Sequence, residues 1–323
     1  MSIEIQILGP RGSLAIPMTP REVEHRVQKI LEDYNSYPIK DVRQFLTTLP
    51  ISQLGGYGGN TACIRVEAED TLLYIDAGTG IRKEGAQLMS GPCGKGQGEV
   101  HLMFTHFHWD HIVGLPFFVP IFVPGNKIHV YAVQDDLEKM FRHVFCKPYF
   151  PVPYEALGAD IIYHKLEPRK PVKFGEIQVT PYELDHPDPC WGYRFDYKGK
   201  SFSYAVDNEG VRASRSELGP DLPMYQDLDL LIFDAQYTFK EATERVDWGH
   251  SSAPIGLDIA MREGVKRVIF VHHDPAASDK KISETEEQTA KYYRSMLKAA
   301  KRVGEDIFEV EWEFAQEGLT INL

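Results

Sequence analysis

The sequence predicts an α/β fold, a four-layer αββα sandwich with a helical insertion near the N-terminus. Three observations carry this. Strand-like apolar runs alternate with stretches of helical spacing, and they do so twice along the chain. Leu230–Phe233 and Val268–Val271 are continuous apolar runs of strand length, as expected of strands covered on both faces. Residues 20–48 break this pattern with helical spacing alone, which marks an insertion at about 14–52.

In chain order, Ile3–Leu8 alternates like a strand and stops at Gly9-Pro10-Arg11-Gly12-Ser13. Arg21–Tyr34 places Val23, Val27, Ile30 and Leu31 on one helical stripe, and Val42–Leu46 reads as a second helix. Ala62–Glu67 and Thr71–Ile75 read as strands, the latter halted by the turn composition of Asp76-Ala77-Gly78-Thr79-Gly80. Strands at Glu99–Phe104 and Ile128–Val133 and a helix near Asp135–Phe145 complete the first half. The second half opens with strands at Ile177–Leu184, Gly192–Tyr197 and Ser201–Val206, followed by Leu230–Phe233. A helix over Ser252–Glu263, the strand Val268–Val271, a longer helix over about Ser283–Lys301 and a last strand near Phe308–Phe314 follow. Two runs of strands with helices between them need two packed sheets with helices outside. Residues 1–323 read as one domain.

A net charge of −12 argues against general affinity for nucleic-acid backbones, which needs clustered Lys and Arg. It does not exclude a small phosphate substrate, because bound cations invert the local field. Cys63, Cys93, Cys146 and Cys190 are scattered, with no C-x-x-C, which suggests free thiols in a reducing compartment. No leader-like segment and no run near the ~20 apolar residues of a membrane span is present, so a soluble, cytoplasmic protein without membrane contact is expected.

The chemistry concentrates in Thr105-His106-Phe107-His108-Trp109-Asp110-His111, directly after an apolar strand. His106, His108, Asp110 and His111 are metal-ligand types too crowded for one ion. They suit two neighbouring ions, with His106 and His108 on one and Asp110 and His111 on the other. Further ligands should sit at strand exits, where sheet enzymes carry functional side chains. His186 follows Ile177–Leu184, Asp207 follows the strand ending at Val206, and His272 follows Val268–Val271. His272 and His273 are adjacent, so only one can face the ions. Strand alternation favours His272, with His273 held behind it and Asp274 as its partner.

The motif His-x-His-x-Asp-His at His106, His108, Asp110 and His111, with His186, Asp207 and His272, resembles the metallo-β-lactamase superfamily over nearly the whole chain. The resemblance implies that His106, His108 and His186 hold one cation and Asp110, His111 and His272 the other, with Asp207 bridging. Asp76 matches an early aspartate that orients ligands. The bridging aspartate resembles the hydrolase and phosphodiesterase branches rather than true β-lactamases. Leu231-Ile232-Phe233-Asp234-Ala235 and Gly249-His250-Ser251 resemble motifs of the tRNase Z-like phosphodiesterases. That resemblance implies catalytic roles for His250, on the leaving group, and for Asp234, which orients it, beside Asp110 at the metals. Tyr57-Gly58-Gly59-Asn60-Thr61 with Gly9–Ser13 is similar to the cyclic phosphodiesterases of that branch, including phage cyclic-nucleotide degraders and phosphoribosyl cyclic phosphate hydrolases.

The expectation is therefore a hydrolase with two divalent metal ions, zinc first and manganese as the alternative. It would cleave a small, cyclic, nucleotide-like phosphodiester by a metal-bound hydroxide. Precursor-tRNA 3′-end processing is the nearest alternative, although no Gly- and Lys-rich arm lies between His111 and His186. Glyoxalase II-type or lactonase-type hydrolysis shares the ligands but not the Asp234/His250 pair. The partners expected are a small phosphodiester substrate and a second copy in a homodimer, with no stable nucleic-acid binding. Arg11 and Arg194 are candidate phosphate contacts, and Lys147–Tyr154 is either a lid or a packed surface loop.

Overall fold

The computed structural model describes residues 2–323. The first half runs β1 (Glu4–Gly9), α1 (Pro20–Ser36), α2 (Val42–Leu46), α3 (Ile51–Leu54), β2 (Cys63–Ala68), β3 (Thr71–Ile75), α4 (Ile81–Leu88), β4 (Glu99–Met103), α5 (Trp109–Ile112), β5 (Lys127–Ala132), α6 (Leu137–Val144) and β6 (Asp160–Lys165). The second half runs β7 (Val172–Phe174), β8 (Ile177–Glu183), β9 (Trp191–Tyr197), β10 (Lys200–Ala205), α7 (Arg215–Leu218), β11 (Leu230–Asp234), α8 (Phe239–Glu244), α9 (Ala253–Glu263), β12 (Arg267–Val271), α10 (Asp279–Val303), β13 (Glu311–Phe314) and β14 (Thr320–Asn322).

Two seven-stranded sheets result, ordered β14-β1-β2-β3-β4-β5-β6 and β7-β8-β9-β10-β11-β12-β13. Each begins with antiparallel pairs and continues from its fourth strand with parallel ones. Tight turns make the antiparallel neighbours: Lys198 and Gly199 both take positive φ between β9 and β10, as a two-residue hairpin turn requires. Crossover segments make the parallel ones, with α4 between β3 and β4 and α9 between β11 and β12. Ile5, Val66, Ile75 and Met103 of one sheet share a buried cluster with Val179, Phe195, Ile232 and Ile269 of the other. On the outer faces, Phe141 of α6 joins Leu102 and Val130. Leu257 of α9 and Ile282 of α10 join Phe233 and Phe270. The αββα sandwich expected from the sequence is the fold observed.

The sequence reading misses β6, β7, β14, α3, α4, α5, α7 and α8. β7 and β14 are three-residue edge strands, and β6 is the partly buried opposite edge, so none carries a long apolar run. α4 starts inside the glycine-rich stretch that reads as a turn, with Gly80 as its cap. α10 begins earlier than its apolar pattern suggests, because Ser278 caps it by accepting from the Lys281 amide.

The insertion holds α1, α2 and α3. A reciprocal Thr19–Glu22 capping box starts α1, yet none of its residues is buried. Val23, Val27 and Leu31 are 46%, 50% and 56% exposed, so most of the apolar stripe faces outward, with Ile30 partly covered. Arg26 anchors α1 through an ion pair to Asp279 on α10. Among the described residues no helix is long and apolar enough to cross a membrane.

Candidate metal centre

The site forms where strands of both sheets end. Asp76 follows β3, Thr105 and His106 follow β4, Asp207 follows β10, Asp234 ends β11 and His272 follows β12. Asp76, Asp207 and His272 hold φ values of 61°, 61° and 64°, a region that non-glycine residues occupy at a cost of about 1 kcal/mol or more. Chain reversal directly after a strand turns these side chains into one space, and the surrounding contacts hold them there.

His106, His108, His186 and Asp207 form one group whose ligand-type atoms lie within 4.8 Å of one another, and Asp110, His111, Asp207 and His272 form a second. Asp207 belongs to both. Its Oδ2 is 3.2 Å from His106 Nε2, while its Oδ1 is 3.3 Å from His111 Nε2 and 2.9 Å from His272 Nε2. His106 Nε2, His111 Nε2 and Asp207 Oδ1 are nevertheless buried atoms without a hydrogen-bond partner. Buried lone pairs turned toward one another cost free energy unless a proton or a cation sits among them. That donor set fits two divalent cations bridged by Asp207.

The imidazoles are fixed from behind, so that Nε2 is left free. His106 Nδ1 donates to Thr105 Oγ1 at 3.0 Å, and that hydroxyl donates to Asp76. His111 Nδ1 donates to Asp76 Oδ2 at 2.8 Å, His186 Nδ1 to the Asp188 carbonyl at 2.9 Å, and His272 Nδ1 to Gln236 Oε1 at 2.9 Å. Such partners set tautomer and ring orientation in metal sites. His108 differs, since it is half exposed and its Nε2 meets Asp188 Oδ2 at 2.8 Å. The Ser13 amide donates to Asp110 Oδ2 at 2.7 Å, so the glycine-rich turn after β1 closes the second cluster.

Electrostatics divide the two clusters. Burial, with His111 nearby, lowers His106 to about 4. Burial also lowers His186. His272 is raised to about 10: burial works against its charge, but Asp207 and Asp110 outweigh it. The same balance with Asp207, Asp110 and Asp76 raises His111. Burial opposes charge on Asp207 too, yet His272, His111 and His106 hold its carboxyl well below the usual range.

His250 sits beside the second cluster. Its Nδ1 is 2.9 Å from Asp234 Oδ2, and its ring stacks on His272 at 4.8 Å. Fully buried Asp234 also accepts from the backbone amides of Asp207, Gln236 and Ser251. Glu209 Oε1 accepts from the Gly249 amide at 2.7 Å and ties down the loop that carries His250. A cavity of about 450 Å³ opens here, lined by His186, Pro187, Glu209, Val211, Arg212 and Asp247.

All nine residues singled out from the sequence meet at this site: His106, His108, Asp110, His111, His186, Asp207, Asp234, His250 and His272. Thr105, Asp188, Glu209 and Gln236 were not foreseen. Each lies within two residues of a foreseen one, and only the fold tells which neighbour turns inward. Other expectations need correction. His273 does not pair with Asp274; its Nε2 lies 2.8 Å from the Ala315 carbonyl and its ring stacks on Phe314. Arg11 is buried on Gly58 and Ala277 carbonyls and on Asp279, so it offers nothing to a phosphate. Arg194 is spent on Asp196 and two carbonyls. In the Lys147–Tyr154 stretch Phe150 packs against Phe145 and Phe117, the contacts of a packed surface loop.

A family profile described as "Beta-lactamase superfamily domain" matches residues 71–273. Ribonuclease Z of Pyrococcus abyssi (strain GE5 / Orsay) is 27% identical over 165 residues, covering 50% of each chain; this chain thus spans half of that relative's length. Among solved structures, the metallo-beta-lactamase fold protein YhfI from Bacillus subtilis superposes with a TM-score of 0.63 at 15% identity, covering 100% and 99% of the two chains. A diphosphatase from the PhnP family gives a TM-score of 0.62 at 17% identity, covering 99% and 98%.

Proposed function

The chain belongs to the beta-lactamase superfamily, and from that membership we propose that it is a metal-dependent phosphodiesterase acting on a small, cyclic, nucleotide-like phosphodiester. The observation that carries the reading is the His250–Asp234 pair, 2.9 Å apart, set against the cluster that contains Asp207. Zinc is the first candidate ion and manganese the second, because imidazole and carboxylate donors accept both.

His106, His108, His186 and Asp207 would hold one cation, and Asp110, His111, His272 and Asp207 the other. When bound, such cations supply the positive charge that polarises a phosphoryl group and acidifies a water. The remaining work falls to the chain. Asp234 holds Nδ1 of His250, which leaves Nε2 to deliver a proton to the departing ester oxygen. The three backbone amides on Asp234 stop that carboxylate from turning away, so the ring keeps one tautomer and one direction. A thioester hydrolase has less need of this pair, because a thiolate departs more readily than an alkoxide.

Cleavage of precursor tRNA is the second reading, and the relative named Ribonuclease Z supports it. The net charge of −12 and the acidic lining of the cavity, with Glu183, Asp185, Glu209 and Asp247, favour a small substrate over a polyanion. The reading is tested with a series of diesters of graded leaving-group basicity, hydrolysed by metal-loaded wild type and by His250→Ala. An acid role makes the variant's deficit largest for alkyl leaving groups and small for nitrophenolate. An equal deficit across the series would remove His250 from the leaving group.

A further inference from the structure

The chain has four tryptophans, and two of them, Trp109 and Trp248, are 65% and 63% exposed. An indole combines a large apolar face with one polar N–H, which suits it to stack on a partner while staying partly wet. Both exposed indoles belong to residues that adjoin the metal centre along the chain. Trp109 directly follows His108, whose ring is 4.9 Å from that of His186. Trp248 directly precedes Gly249, where a Cβ would fall 2.2 Å from His186 Cδ2 and 3.1 Å from Pro187 Cδ. Each indole is thus one residue along the chain from a group packed against the same ligand. Asp247, which lines the cavity beside His186, immediately precedes Trp248. The cavity, about 450 Å³, falls within the size range of small-molecule pockets.

His186 of the first cluster lines this opening, so a phosphodiester held by cations at the clusters would have the opening beside it for the rest of the substrate. The lining of the opening is acidic, and Arg212 is already paired with Asp185 and Asp221. Exposed aromatic faces are what remain. A flat π-system stacks on an indole whatever hydrogen-bonding edge it carries. We propose that Trp109 and Trp248 form a stacking subsite for the substrate's aromatic base, and that the enzyme takes nucleotides in preference to phosphodiesters of a bare sugar. This rests on the phosphodiesterase reading and adds the substrate's non-phosphate half to it.

The test compares a cyclic mononucleotide with the corresponding base-free ribose cyclic phosphate, using the metal-loaded wild type, Trp109→Ala, Trp248→Ala and the two Trp→Phe variants. Quenching of tryptophan fluorescence by adenosine monophosphate, with ribose 5-phosphate as the control, runs alongside. Wild type is expected to favour the nucleotide. Each Ala variant is expected to lose roughly tenfold of that preference, mainly through KM, with Phe restoring much of it. Adenosine monophosphate is expected to quench the wild type, whereas ribose 5-phosphate leaves its emission unchanged. If wild type cleaves nucleotides but both Ala variants keep the full preference, the subsite is overturned while the phosphodiesterase reading stands. If wild type cleaves no phosphodiester, that reading fails, and the quenching alone then decides whether the tryptophans bind a base. Emission that changes on dilution but not with nucleotide would assign the indoles to contact between copies of the chain and overturn the proposal.

Discussion

At the level of single side chains, His250 and Asp234 form a third close group with Asp207 and His272, and experiment can separate them from the cation ligands. Asp234→Asn should leave the bound metal nearly unchanged and lower kcat by about 10²–10⁴ on an alkyl diester, as loss of a positioned acid does. Metal analysis beside steady-state rates checks this; loss of a metal equivalent would instead make Asp234 a support of His272. Elsewhere, buried Asp221 is held at 2.8 Å by both Arg169 and Arg212. Burial pushes its carboxyl up, but the hydrogen bonds from the two arginines win and the pKa is lowered. A carboxylate with a depressed pKa stabilises the fold above its ordinary pKa, and that share is lost as pH falls through the depressed value. Asp221→Ala should therefore cost about 3 kcal/mol in urea unfolding at pH 7, by stranding two arginines, and the cost should shrink as pH falls through the depressed value.

Among the elements, the loops at strand exits are the least forgiving. At Gly12 a Cβ would fall 2.4 Å from His272 Nδ1, and at Gly249, where φ is +84°, 2.2 Å from His186 Cδ2. Gly249→Ala should lower metal content and activity by more than about tenfold while leaving the melting curve close to wild type, because the strain falls on a surface loop. Unchanged metal affinity would mean that the loop yields freely. The exposed stripe of α1 makes the opposite statement. Val23, Val27 and Leu31 leave an apolar stripe half exposed, and we expect them to pack on a second copy. Val27→Glu with Leu31→Lys should yield a monomer by sedimentation at little cost to the stability of each chain; a monomeric wild type would leave the stripe to another partner. This stripe was legible in the sequence as a 3.6-residue period, but its exposure was not, since periodicity does not say whether a partner lies in the same chain. The buried strands β11 and β12 were legible because both faces are covered, whereas β6, β7 and β14 lie at edges or are too short to carry a pattern.

For the whole molecule, the two sheets repeat one plan, and the site uses it: Asp76 and Asp207 both leave the fourth strand of their sheet, where antiparallel pairing gives way to parallel, at φ 61°. The nine candidate site residues were readable beforehand because ligand chemistry limits which residue types can serve. Their supports were not, because threonine, glutamine and a backbone amide serve equally well, and only the fold selects Thr105, Gln236 and the Ser13 amide. The clusters should also differ in how they load. His106, at about 4, and His186, also lowered, are free of protons at neutral pH, whereas His272, at about 10, and His111, also raised, are not. A second cation must displace protons, so its affinity should rise about tenfold per pH unit for each one displaced. Calorimetry in buffers of different ionisation enthalpy reads the protons released. The most direct measurement, however, is hydrolysis of a panel of cyclic mononucleotides and a nitrophenyl phosphodiester by protein carrying two equivalents of zinc or manganese, with Asp110→Ala as the blank. Turnover of at least one cyclic nucleotide that vanishes in the blank is the expected result. A fully loaded protein that leaves every phosphodiester intact, or that cleaves only esters and thioesters, would contradict it.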